Sequence, residues 1–389
     1  MTHLKSPIVA FAHHPWHEPE WMNRQQLLSR LGKRGWPVAY SYGALDWWQR
    51  GSKQWQTSPW FNGYIKRDHI YDIQPGRKGA RWQRFPAYDR FATYRHARYV
   101  RSTVSQPEQR IIVMIFDPQF FPYIEYLEPC DVVFHAYDVF TGQPSWSDRK
   151  AEWQTALLAK AKLVTASSEA IARSLNHEPV IVLPNGADVD AFLNATSLPE
   201  PEDLAPIPHP RIGYVGAINR KVDLKLIAEI AAQKPEWHWV LVGRIDRSAL
   251  LSDPEMAEYL AQCEQFGNVH FLGQKDRREV PAYVGNMDIN AMCYRATGDG
   301  WWKAGYPLKL HEYLATGLPV ISTPIESVIN YSANIHIADD YQKMIKEITT
   351  ILNDGFAKHN ELSKYDASKY SWDTLVIKLE KLFFNINKS

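Results

Sequence analysis

Residues 306–322 read Tyr-Pro-Leu-Lys-Leu-His-Glu-Tyr-Leu-Ala-Thr-Gly-Leu-Pro-Val-Ile-Ser and combine a helix start, a helix end and a strand. Pro307 suits the first position of a helix, because the N–H that it lacks would have no partner there. Gly317 suits the position just after the helix, and Pro319 prevents the helix from continuing. The apolar residues after Pro319 predict a buried strand. A short helix that leads directly into a buried strand is typical of an α/β fold.

The start of this predicted helix is suited to binding an anion. The unpaired N–H groups and the positive dipole end of a helix attract a diphosphate. Lys309 adds a full positive charge in the first turn, and Glu312 shares its face of the helix three residues later. This pair can hold a phosphate and a sugar hydroxyl together. An isolated Lys–Glu pair is more often a surface ion pair, so the flanking residues decide between the two interpretations.

The whole stretch resembles the donor-binding motif of GT-B glycosyltransferases, especially the bacterial family 4 enzymes and the related glucuronosyltransferases of exopolysaccharide synthesis. The resemblance implies that Lys309 contacts the diphosphate of a nucleotide sugar and that Glu312 binds its ribose. Many relatives carry a second Glu that holds the donor sugar, and Ala304 occupies that position in this chain. Three neighbouring residues are further donor-binding candidates: Tyr306, Pro307 and Leu308.

The first part of the chain reads as alternating strands and helices. Residues 6–12 predict a strand, residues 23–31 a helix and residues 37–41 a second strand, which together form a βαβ unit. A second series of such units begins at residues 211–216, after a segment at 196–210 with five prolines, which predicts a linker.

We therefore expect an α/β protein with two Rossmann-like doubly wound domains facing across a cleft, the GT-B fold that the resemblance implies. Residues 1–205 are the predicted acceptor-binding domain, and residues 206–370 the predicted nucleotide-sugar domain. Residues 371–389 predict a C-terminal helix, and the resemblance implies that it packs back on the first domain.

Glycine-containing loops follow the predicted strands of the second domain. Gly216 ends one strand, and a glycine turn before a helix lets backbone N–H groups approach a phosphate. Arg220 and Lys221 lie in the same loop and are candidates for additional charge on the diphosphate, with a solvated basic pair as the alternative. The resemblance extends to Asn-Val-His-Phe-Leu-Gly at 268–273 and implies that the loop at Gly273 packs on the nucleotide base.

Two further loops are candidates for the same site, the first by the resemblance and the second by its composition. Residues 184–188 read Pro-Asn-Gly-Ala-Asp, a frequent loop in these glycosyltransferases. The loop 294–306 contains Gly298, Gly300 and Gly305, and a glycine-rich loop before the phosphate-binding helix is suited to closing over a donor sugar.

The loop after the first predicted strand contains three histidines and two tryptophans within residues 13–21. Ligands of open α/β sheets bind at the carboxyl ends of strands, which is where this loop lies. We expect His13 and Trp16 in this loop, together with Arg24 at the start of the next helix, to contact the acceptor. Metal ligation by the histidines and a loop without a ligand remain as alternatives.

The catalytic base is predicted among residues that follow buried strands. Asp138 and Asp117 each come just after such a strand, and a carboxylate there can deprotonate an acceptor hydroxyl. Asp138 is the first choice, Asp117 the second, and His14 is a further candidate. Either aspartate can instead cap a loop or a helix.

Residues 60–101 carry ten Lys and Arg but only three Asp, and aromatic residues are interleaved with them. Three interpretations remain open for this segment. Basic and aromatic side chains together suit the headgroup region of an anionic membrane, and they also suit single-stranded nucleic acid. The third interpretation is a solvated basic face with a buried aromatic side.

Composition narrows the classes further. The net charge of +1 provides no overall field for nucleic acid. Cys130, Cys263 and Cys293 lie far apart without metal-ligand spacing, which favours a reducing compartment and no structural metal. No signal peptide and no apolar run of about 20 residues is apparent, so we expect a cytoplasmic protein, at the inner face of the plasma membrane if the basic segment binds lipid.

The sequence thus predicts a metal-independent glycosyltransferase that moves a sugar from a nucleotide-diphosphate sugar, UDP-linked, to a glycan or lipid-linked acceptor in bacterial surface polysaccharide synthesis. No cofactor besides the donor substrate is expected. Two alternatives are a sugar-nucleotide epimerase or phosphorylase on the same fold, and a catalytically inactive protein that binds sugar nucleotides.

Overall fold

The computed structural model describes residues 5–17, 21–143, 145–295, 300–354 and 366–386. The chain forms two compact units. Leu183 ends the first unit and Pro184 begins the second, which ends at Trp372. The chain from Asp373 onward belongs to the first unit again.

Eight strands form the sheet of the first unit: β1 (Ile8–Phe11), β2 (Val38–Ser41), β3 (Gly63–Arg67), β4 (Ile70–Gln74), β5 (Ile111–Ile115), β6 (Cys130–Ala136), β7 (Leu163–Ala166) and β8 (Ile181–Val182). They lie in the order β3-β4-β2-β1-β5-β6-β7-β8. All neighbouring strands are parallel except β3 and β4, which form an antiparallel hairpin at one edge. Every residue of the central strands β1 and β5 is buried, as expected for a parallel sheet that helices cover.

The helices of the first unit before residue 183 are α1 (Asn23–Lys33), α2 (Lys53–Thr57), α3 (Pro86–Val104), α4 (Asp148–Lys160) and α5 (Glu169–Ser174). Helix α1 is two residues longer than the predicted range 23–31. It passes through Gly32 and ends before Gly35, whose φ of +89° suits glycine after a helix. The β3–β4 hairpin and α3 were not predicted.

Six strands form the sheet of the second unit: β9 (Arg211–Val215), β10 (His238–Val242), β11 (Val269–Gly273), β12 (Ile289–Met292), β13 (Val320–Ser322) and β14 (His336–Ile337). They are all parallel and lie in the order β11-β10-β9-β12-β13-β14. The helices are α6 (Val189–Leu193), α7 (Leu224–Gln233), α8 (Arg247–Leu251), α9 (Pro254–Gln265), α10 (Val280–Gly285), α11 (Lys309–Ala315), α12 (Glu326–Ile329) and α13 (Tyr341–Asp354).

Two hydrophobic cores lie on opposite faces of this second sheet. Along β10, Trp239 and Leu241 belong to one core, whereas Val240 and Val242 belong to the other, because successive strand residues point to opposite faces. Helices α7, α9 and α13 contribute to the first core, and α6, α10 and α11 to the second. The unit is therefore doubly wound, as predicted.

The proline-rich segment 196–210 is part of the second unit rather than a linker. Leu204 is fully buried and Ile207 nearly so, and both belong to a core of that unit. The transition between the units comes earlier than the predicted boundary at residue 206, between Leu183 and Pro184. Proline composition alone does not distinguish a free linker from an irregular segment that packs on a domain.

The last helix, α14 (Trp372–Ile386), packs on the first unit. Its Glu380 accepts hydrogen bonds from Trp36 Nε1 at 2.7 Å and from Arg34 Nε at 2.6 Å. The ring of Phe383 lies 5.4 Å from the ring of Trp36. Across the described ranges, no helix combines the length and apolarity that crossing a bilayer requires.

Candidate functional site

The order of strands in the second sheet reverses between β9 and β12, which are neighbours although the chain between them forms β10 and β11. Ligands of doubly wound sheets bind outside the carboxyl ends of the strands at such a reversal. Gly216 directly follows β9. The chain after β12 leads to Lys309, at the start of α11. The two regions that the sequence singles out therefore belong to the two strands at the reversal.

Helix α11 begins at Lys309, so Pro307 is not its first residue as predicted. Leu308 is the capping residue, and the N–H of Leu310 donates to the carbonyl of Pro307 at 3.2 Å, so Pro307 and Leu308 form a turn that leads into the helix. The predicted end is confirmed: Gly317 has a φ of +73° and follows Thr316, the last capping residue.

Lys309 is a buried cation, only 8% exposed. Its Nζ lies 3.5 Å from the centre of the Tyr214 ring and 5.4 Å from that of Tyr294. A Cβ atom added to Gly216 would stand 2.8 Å from the same Nζ, so the ammonium group lies directly beside the glycine that ends β9. No hydrogen bond or ion pair joins this Nζ to any residue within the described ranges. Aromatic faces attract a cation but do not neutralise it, so the group is suited to an anionic ligand.

Tyr313, one turn after Lys309, connects α11 to β9. The N–H of Val215 donates to the Tyr313 hydroxyl at 2.8 Å, and the hydroxyl in turn lies 3.4 Å from the carbonyl of Val215. Tyr313 is fully buried in the core of this face. This contact places the first turn of α11 beside Gly216.

Burial destabilises the charged forms of both Lys309 and Glu312. It lowers the pKa of Lys309 to about 7; the charge of Lys221 lowers that pKa further, whereas Glu312 and Cys293 raise it. Burial raises the pKa of Glu312 to about 8, Lys309 opposes this shift, and Asp188 adds to it. A bound diphosphate would favour the charged form of Lys309 and so restore its positive charge.

Glycines end three neighbouring strands of the second sheet. Gly216 and Gly243 have φ values of +144° and +151°, and Gly273 has +70°. A Cβ atom at Gly243 would stand 2.1 Å from the carbonyl oxygen of Gly216, so a side chain there would collide with the backbone. The carboxyl edge of β9, β10 and β11 is therefore bare backbone, which a phosphate or a base can approach closely.

The two basic residues after Gly216 have different surroundings. Arg220 is exposed, and its guanidinium donates to the carbonyl of Ala249 at 3.0 Å and to the hydroxyl of Ser252. It thus ties its loop to the end of α8. Lys221 lies close enough to Lys309 for its charge to lower the pKa of that residue. Of the pair, Lys221 is the better candidate for a second positive charge at the site.

The loop 184–188 contributes two polar residues that the sequence marked only by resemblance. Asn185 is buried, and its Nδ2 donates to the carbonyl of Tyr306 at 2.6 Å. Asp188 acts on the pKa of Glu312 and therefore lies near it. The loop thus fixes the turn before α11 and adds a carboxylate close to Glu312.

A group of aromatic residues supports α11 and was not predicted. The fully buried ring of His311 stacks on Tyr370 at 4.1 Å, and its Nε2 lies 2.7 Å from the hydroxyl of Tyr306. That hydroxyl is also 2.7 Å from the hydroxyl of Tyr331. Burial lowers the pKa of His311 to about 3, so the ring is neutral. Tyr306 is therefore tied to the interior of the domain by both its backbone and its hydroxyl.

The predicted lid 294–306 is described in part, and Gly298 lies outside the described residues. Ala304 ends a short 3₁₀ helix, Trp301–Ala304. The indole N–H of Trp302 donates to the carbonyl of Arg295 at 3.2 Å, which links the two ends of the loop. Ala304 thus stands where the family resemblance implies a second glutamate.

The candidates of the first unit gather at the carboxyl ends of β1, β5 and β6. The side chain of Gln119 lies 2.6 Å from His13 Nδ1, and the N–H of Gln119 donates to the carboxylate of Asp117 at 2.9 Å. Burial raises the pKa of Tyr137, the charges of Asp117 and Asp138 raise it further, and Arg24 opposes them. The structure thus brings His13, Arg24, Asp117 and Asp138 into one region.

Several of these candidates also have structural contacts. Asp138 accepts hydrogen bonds from the N–H of Val139 at 2.9 Å and from Gln143 at 3.1 Å. Asp117 caps the 3₁₀ helix Pro118–Leu127. The carbonyl of His14 accepts a hydrogen bond from the hydroxyl of Tyr40, and the ring of His14 lies 4.9 Å from that of His13.

Trp16, predicted as an acceptor contact, is buried instead. It is 1% exposed, its ring meets Tyr40 edge-on at 5.0 Å, and its indole N–H donates to Asp68 at 2.9 Å. Trp16 packs in the core of the first unit, and its side chain has almost no exposed surface that an acceptor could contact. Among the described residues, no three His, Cys, Asp or Glu side chains form a group that could hold a metal ion.

Residues 209–354 match the sequence family described as Glycosyl transferases group 1. This range contains both strands at the reversal, together with Gly216, Lys309 and Glu312. The second unit of this chain is a glycosyltransferase group 1 domain.

Known proteins resemble both this domain and the whole chain. Over 177 residues the chain is 31% identical to the putative teichuronic acid biosynthesis glycosyltransferase TuaH of Bacillus subtilis, a match that covers 44% of this chain and 42% of TuaH. Sucrose-phosphate synthase of Thermosynechococcus elongatus aligns over 99% of this chain and 100% of its own with a TM-score of 0.70 at 17% identity. Anabaena HepE, solved in complex with UDP and glucose, aligns over 97% and 99% with a TM-score of 0.66 at 15% identity. The fold is GT-B, as predicted, and the group 1 domain is its second half.

Proposed function

We propose that the protein is a glycosyltransferase that moves a sugar from a nucleotide-diphosphate sugar to a glycan or a lipid-linked acceptor. The observation that carries the proposal is the buried ammonium group of Lys309, which lies beside Gly216 with no hydrogen bond or close ion pair to any described residue. A buried charge is stable only when it is paired, so the natural partner of this group is an anion from the ligand.

The donor that fits best has two phosphates and a ribose. In this proposal Lys309 and Lys221, whose charges interact, both act on the diphosphate, and the bare backbone at Gly216 lets the phosphates approach β9. Glu312, one turn along the helix, is placed for the ribose hydroxyls, to which its carboxyl group can donate or accept. We propose uridine as the base, because Anabaena HepE, which has the same fold, was solved in complex with UDP.

Charge stabilisation on the departing diphosphate is the chemistry that this site can supply. As the glycosidic bond to the donor sugar breaks, negative charge grows on the leaving phosphate, and a fixed cation stabilises the transition state more than the ground state. Lys309 is held in place by ring faces and by the Tyr313 contact, so it needs little rearrangement. We propose that transfer therefore proceeds without a metal ion, and equal rates in EDTA and in magnesium would support this.

The acceptor is proposed to bind in the first unit, where Asp138 deprotonates its hydroxyl group. Support comes from the convergence of Asp138, Asp117 and Arg24 around Tyr137, at the carboxyl ends of two buried strands. Arg24 would form an ion pair with the phosphate of an acceptor that carries one, such as a lipid diphosphate. Participation in surface polysaccharide synthesis is proposed from the match to TuaH.

Replacement of Lys309 tests the donor site directly. Lys309→Ala is expected to lower kcat about 100-fold, the scale of losing one preorganised charge contact. Lys225→Ala is the matched control, because Lys225 also lies over a tyrosine ring, Tyr259 at 5.8 Å, but on the exposed side of α7. UDP release from a panel of UDP-sugars, measured with and without glycan acceptors, provides the assay.

The same assay separates the alternatives. Product analysis by mass spectrometry distinguishes transfer to an acceptor from epimerisation of the donor. A Lys309→Ala protein that turns over at the wild-type rate would contradict the assigned donor site.

A further inference from the structure

The exposed aromatic residues of this protein are concentrated in one part of the first unit. Of the 17 large hydrophobic side chains that are exposed in the described ranges, 11 lie between residues 47 and 94, and ten of these are aromatic. We call these residues, with the basic residues among them, the aromatic–basic surface. Its apolar members are Trp47, Trp48, Trp60, Phe61, Tyr64, Ile65, Trp82, Phe85, Tyr88, Phe91 and Tyr94.

Helix α3 has its large apolar residues on the side that faces solvent. Its buried face consists mainly of small or polar residues, including Ala92, Thr93 and Ala97. Tyr88, Phe91 and Tyr94, spaced three residues apart, are 43–53% exposed. A helix that only packs on a soluble core carries its large apolar residues on the inner face. The exposed rings of α3 are therefore unexplained by the packing of the unit itself.

Basic residues lie among these rings, and α3 supplies no carboxylate that pairs with them. Arg90 and Arg95 are exposed and Arg98 is half-buried, and Arg84 precedes the helix on the same exposed stretch. The single carboxylate of α3, Asp89, pairs with Arg81 through two hydrogen bonds at 2.8 and 3.0 Å. The exposed face of α3, about 28 Å long for its 19 residues, thus carries positive charge without a carboxylate.

Not all basic residues of the segment contribute. Arg81 is engaged by Asp89, and Arg101 is buried, with its guanidinium donating to backbone carbonyls that include those of Pro107 and Gln109. Both have structural roles. The positive charge available to a partner comes from the other basic residues, chiefly those of α3 and of the loop at Arg77 and Lys78.

Loops on either side of the hairpin extend this surface. The ring of Trp47 stacks on Trp82 at 5.4 Å, and Trp82 meets Phe85, at the start of α3, at 4.7 Å. The N–H of Lys78 donates to the carbonyl of Trp60 at 3.0 Å. The exposed aromatics of the loops and of the helix are therefore held on one backbone framework rather than on independent loops.

Cations of the protein already lie over several ring faces. Arg77 lies 4.5 Å from the ring centre of Trp60, Lys78 lies 4.9 Å from that of Phe61, and Arg50 lies 5.1 Å from that of Trp47. Proteins that bind single-stranded nucleic acid stack successive bases on open aromatic faces. A ring whose face is covered by a cation is not open to a stacked base. The edge of such a ring can still enter apolar surroundings, and the cation then lies at nearly the same depth as the ring, as in the headgroup region of a bilayer.

We propose that the aromatic–basic surface binds the anionic leaflet of a lipid bilayer, with the aromatic rings at the level of the headgroups and the Lys and Arg side chains on the lipid phosphates. The exposed face of α3 carries basic residues and no carboxylate, and its charge complementarity to anionic lipid favours this partner. The proposal concerns the first unit alone and does not depend on the proposed transfer reaction.

Vesicle co-sedimentation of the full chain tests the proposal, with vesicles of pure phosphatidylcholine and of phosphatidylcholine with 30% phosphatidylglycerol. Binding is expected only to the anionic vesicles and to weaken steeply as salt rises. The variant Arg90→Glu, Arg95→Glu, Arg98→Glu is expected to bind at least about 100-fold more weakly, since each basic residue near the membrane strengthens binding about five-fold. The variant with Lys at the three positions is expected to retain binding.

Two matched controls exclude effects of net charge and of exposed apolar area. Lys225→Glu, Arg277→Glu, Lys346→Glu makes the same change in charge at exposed positions of the group 1 domain and is expected to bind as the wild type does. Phe61→Ser with Phe91→Ser is expected to reduce binding at least ten-fold. Leu193→Ser with Leu251→Ser, which removes similarly exposed apolar groups from the group 1 domain, is expected to have no effect. Thermal unfolding confirms that each variant is folded.

Three results would overturn the proposal. One is equal binding to neutral and anionic vesicles, or no binding to either. Another is an equal loss for the α3 charge variant and its control in the group 1 domain. The third is binding of single-stranded RNA at the salt concentration at which binding to anionic vesicles is saturated. If the same substitutions abolish this RNA binding, the surface is assigned to nucleic acid.

Discussion

The backbone nitrogen of Val215 lies 2.8 Å from the hydroxyl of Tyr313, and this hydrogen bond joins the end of β9 to the helix that carries Lys309. Tyr313 and Lys309 are four residues apart and thus lie on neighbouring turns of one helix face. The bond therefore positions the ammonium group of Lys309 relative to Gly216, the next residue after Val215. A strand end and a helix start, distant in the sequence, are combined into one candidate anion site.

Tyr313→Phe is expected to weaken donor binding without removing any group that contacts the donor. The variant leaves the N–H of Val215 buried and without its partner, which lowers the free energy of unfolding by about 1–3 kcal/mol. Movement of α11 relative to β9 should raise KM for the donor several-fold, while kcat changes little. Urea unfolding and steady-state kinetics measure the two effects, with Tyr259→Phe, on the half-buried side of α9, as the control. An unchanged KM would show that the bond does not position Lys309.

Gly216→Ala is expected to weaken donor binding at least ten-fold, whereas Gly267→Ala should leave it unchanged. A Cβ atom at Gly216 would stand 2.8 Å from Lys309 Nζ, and its φ of +144° is strained for any residue with a side chain. Gly267 has no atom within 4 Å of its Cβ position. Calorimetric titration with UDP measures the affinity, with an expected loss of at least ten-fold for Gly216→Ala. Equal affinity of the two variants would contradict the close approach of the diphosphate to β9.

Donor affinity is expected to depend on the protonation of Lys309. The pKa of this group is lowered to about 7 in the free protein, and a bound diphosphate raises it. Binding therefore takes up a proton above pH 7, so affinity is constant below pH 7 and falls as pH rises above it, by up to ten-fold per pH unit. Titration of a UDP-sugar between pH 6 and 9 measures this slope, because its diphosphate diester keeps a constant charge over the range.

Lys309→Arg serves as the control for this slope. Arginine remains protonated throughout the range, so the affinity of the variant should be independent of pH even if it is lower than that of the wild type. A slope that persists in Lys309→Arg would assign the titration to another group, of which Glu312 is the nearest, with its pKa raised to about 8.

Much of the second unit could be predicted from the sequence because its signals are local. Gly317 and Pro319 mark the end of α11 and the start of β13, and the apolar runs of β9 and β10 mark central strands. The convergence of Lys309, Gly216 and Tyr214 could not be predicted from spacing, because it depends on the order of strands in the sheet. The same holds for Arg220, whose side chain is bound by α8.

In the first unit, the usual relation between apolar pattern and burial is reversed on α3. Phe91 and Tyr94 are exposed, while Ala92 and Ala97 are buried, so the apolar periodicity does not indicate the inner face. Strand β3 has no buried residue, so it lacks the alternation from which a strand is predicted. A helix that exposes its large apolar residues and buries small ones lacks the pattern by which it would be predicted.

The choice between the two candidate bases can be made with isosteric variants. Asparagine keeps the shape of aspartate and its ability to accept the hydrogen bonds that Asp138 receives from Val139 and that Asp117 receives from Gln119, so both variants should fold. If Asp138 removes the acceptor proton, Asp138→Asn lowers kcat for transfer at least 100-fold, the range of general base catalysis. Asp117→Asn then stays within a few-fold of the wild type, because its carboxylate serves mainly to cap the following 3₁₀ helix. Release of UDP without acceptor should be similar in both variants, since the proposed donor site lies in the group 1 domain. The reverse pattern of kcat values would make Asp117 the base, and a transfer rate that neither substitution changes would place the base elsewhere.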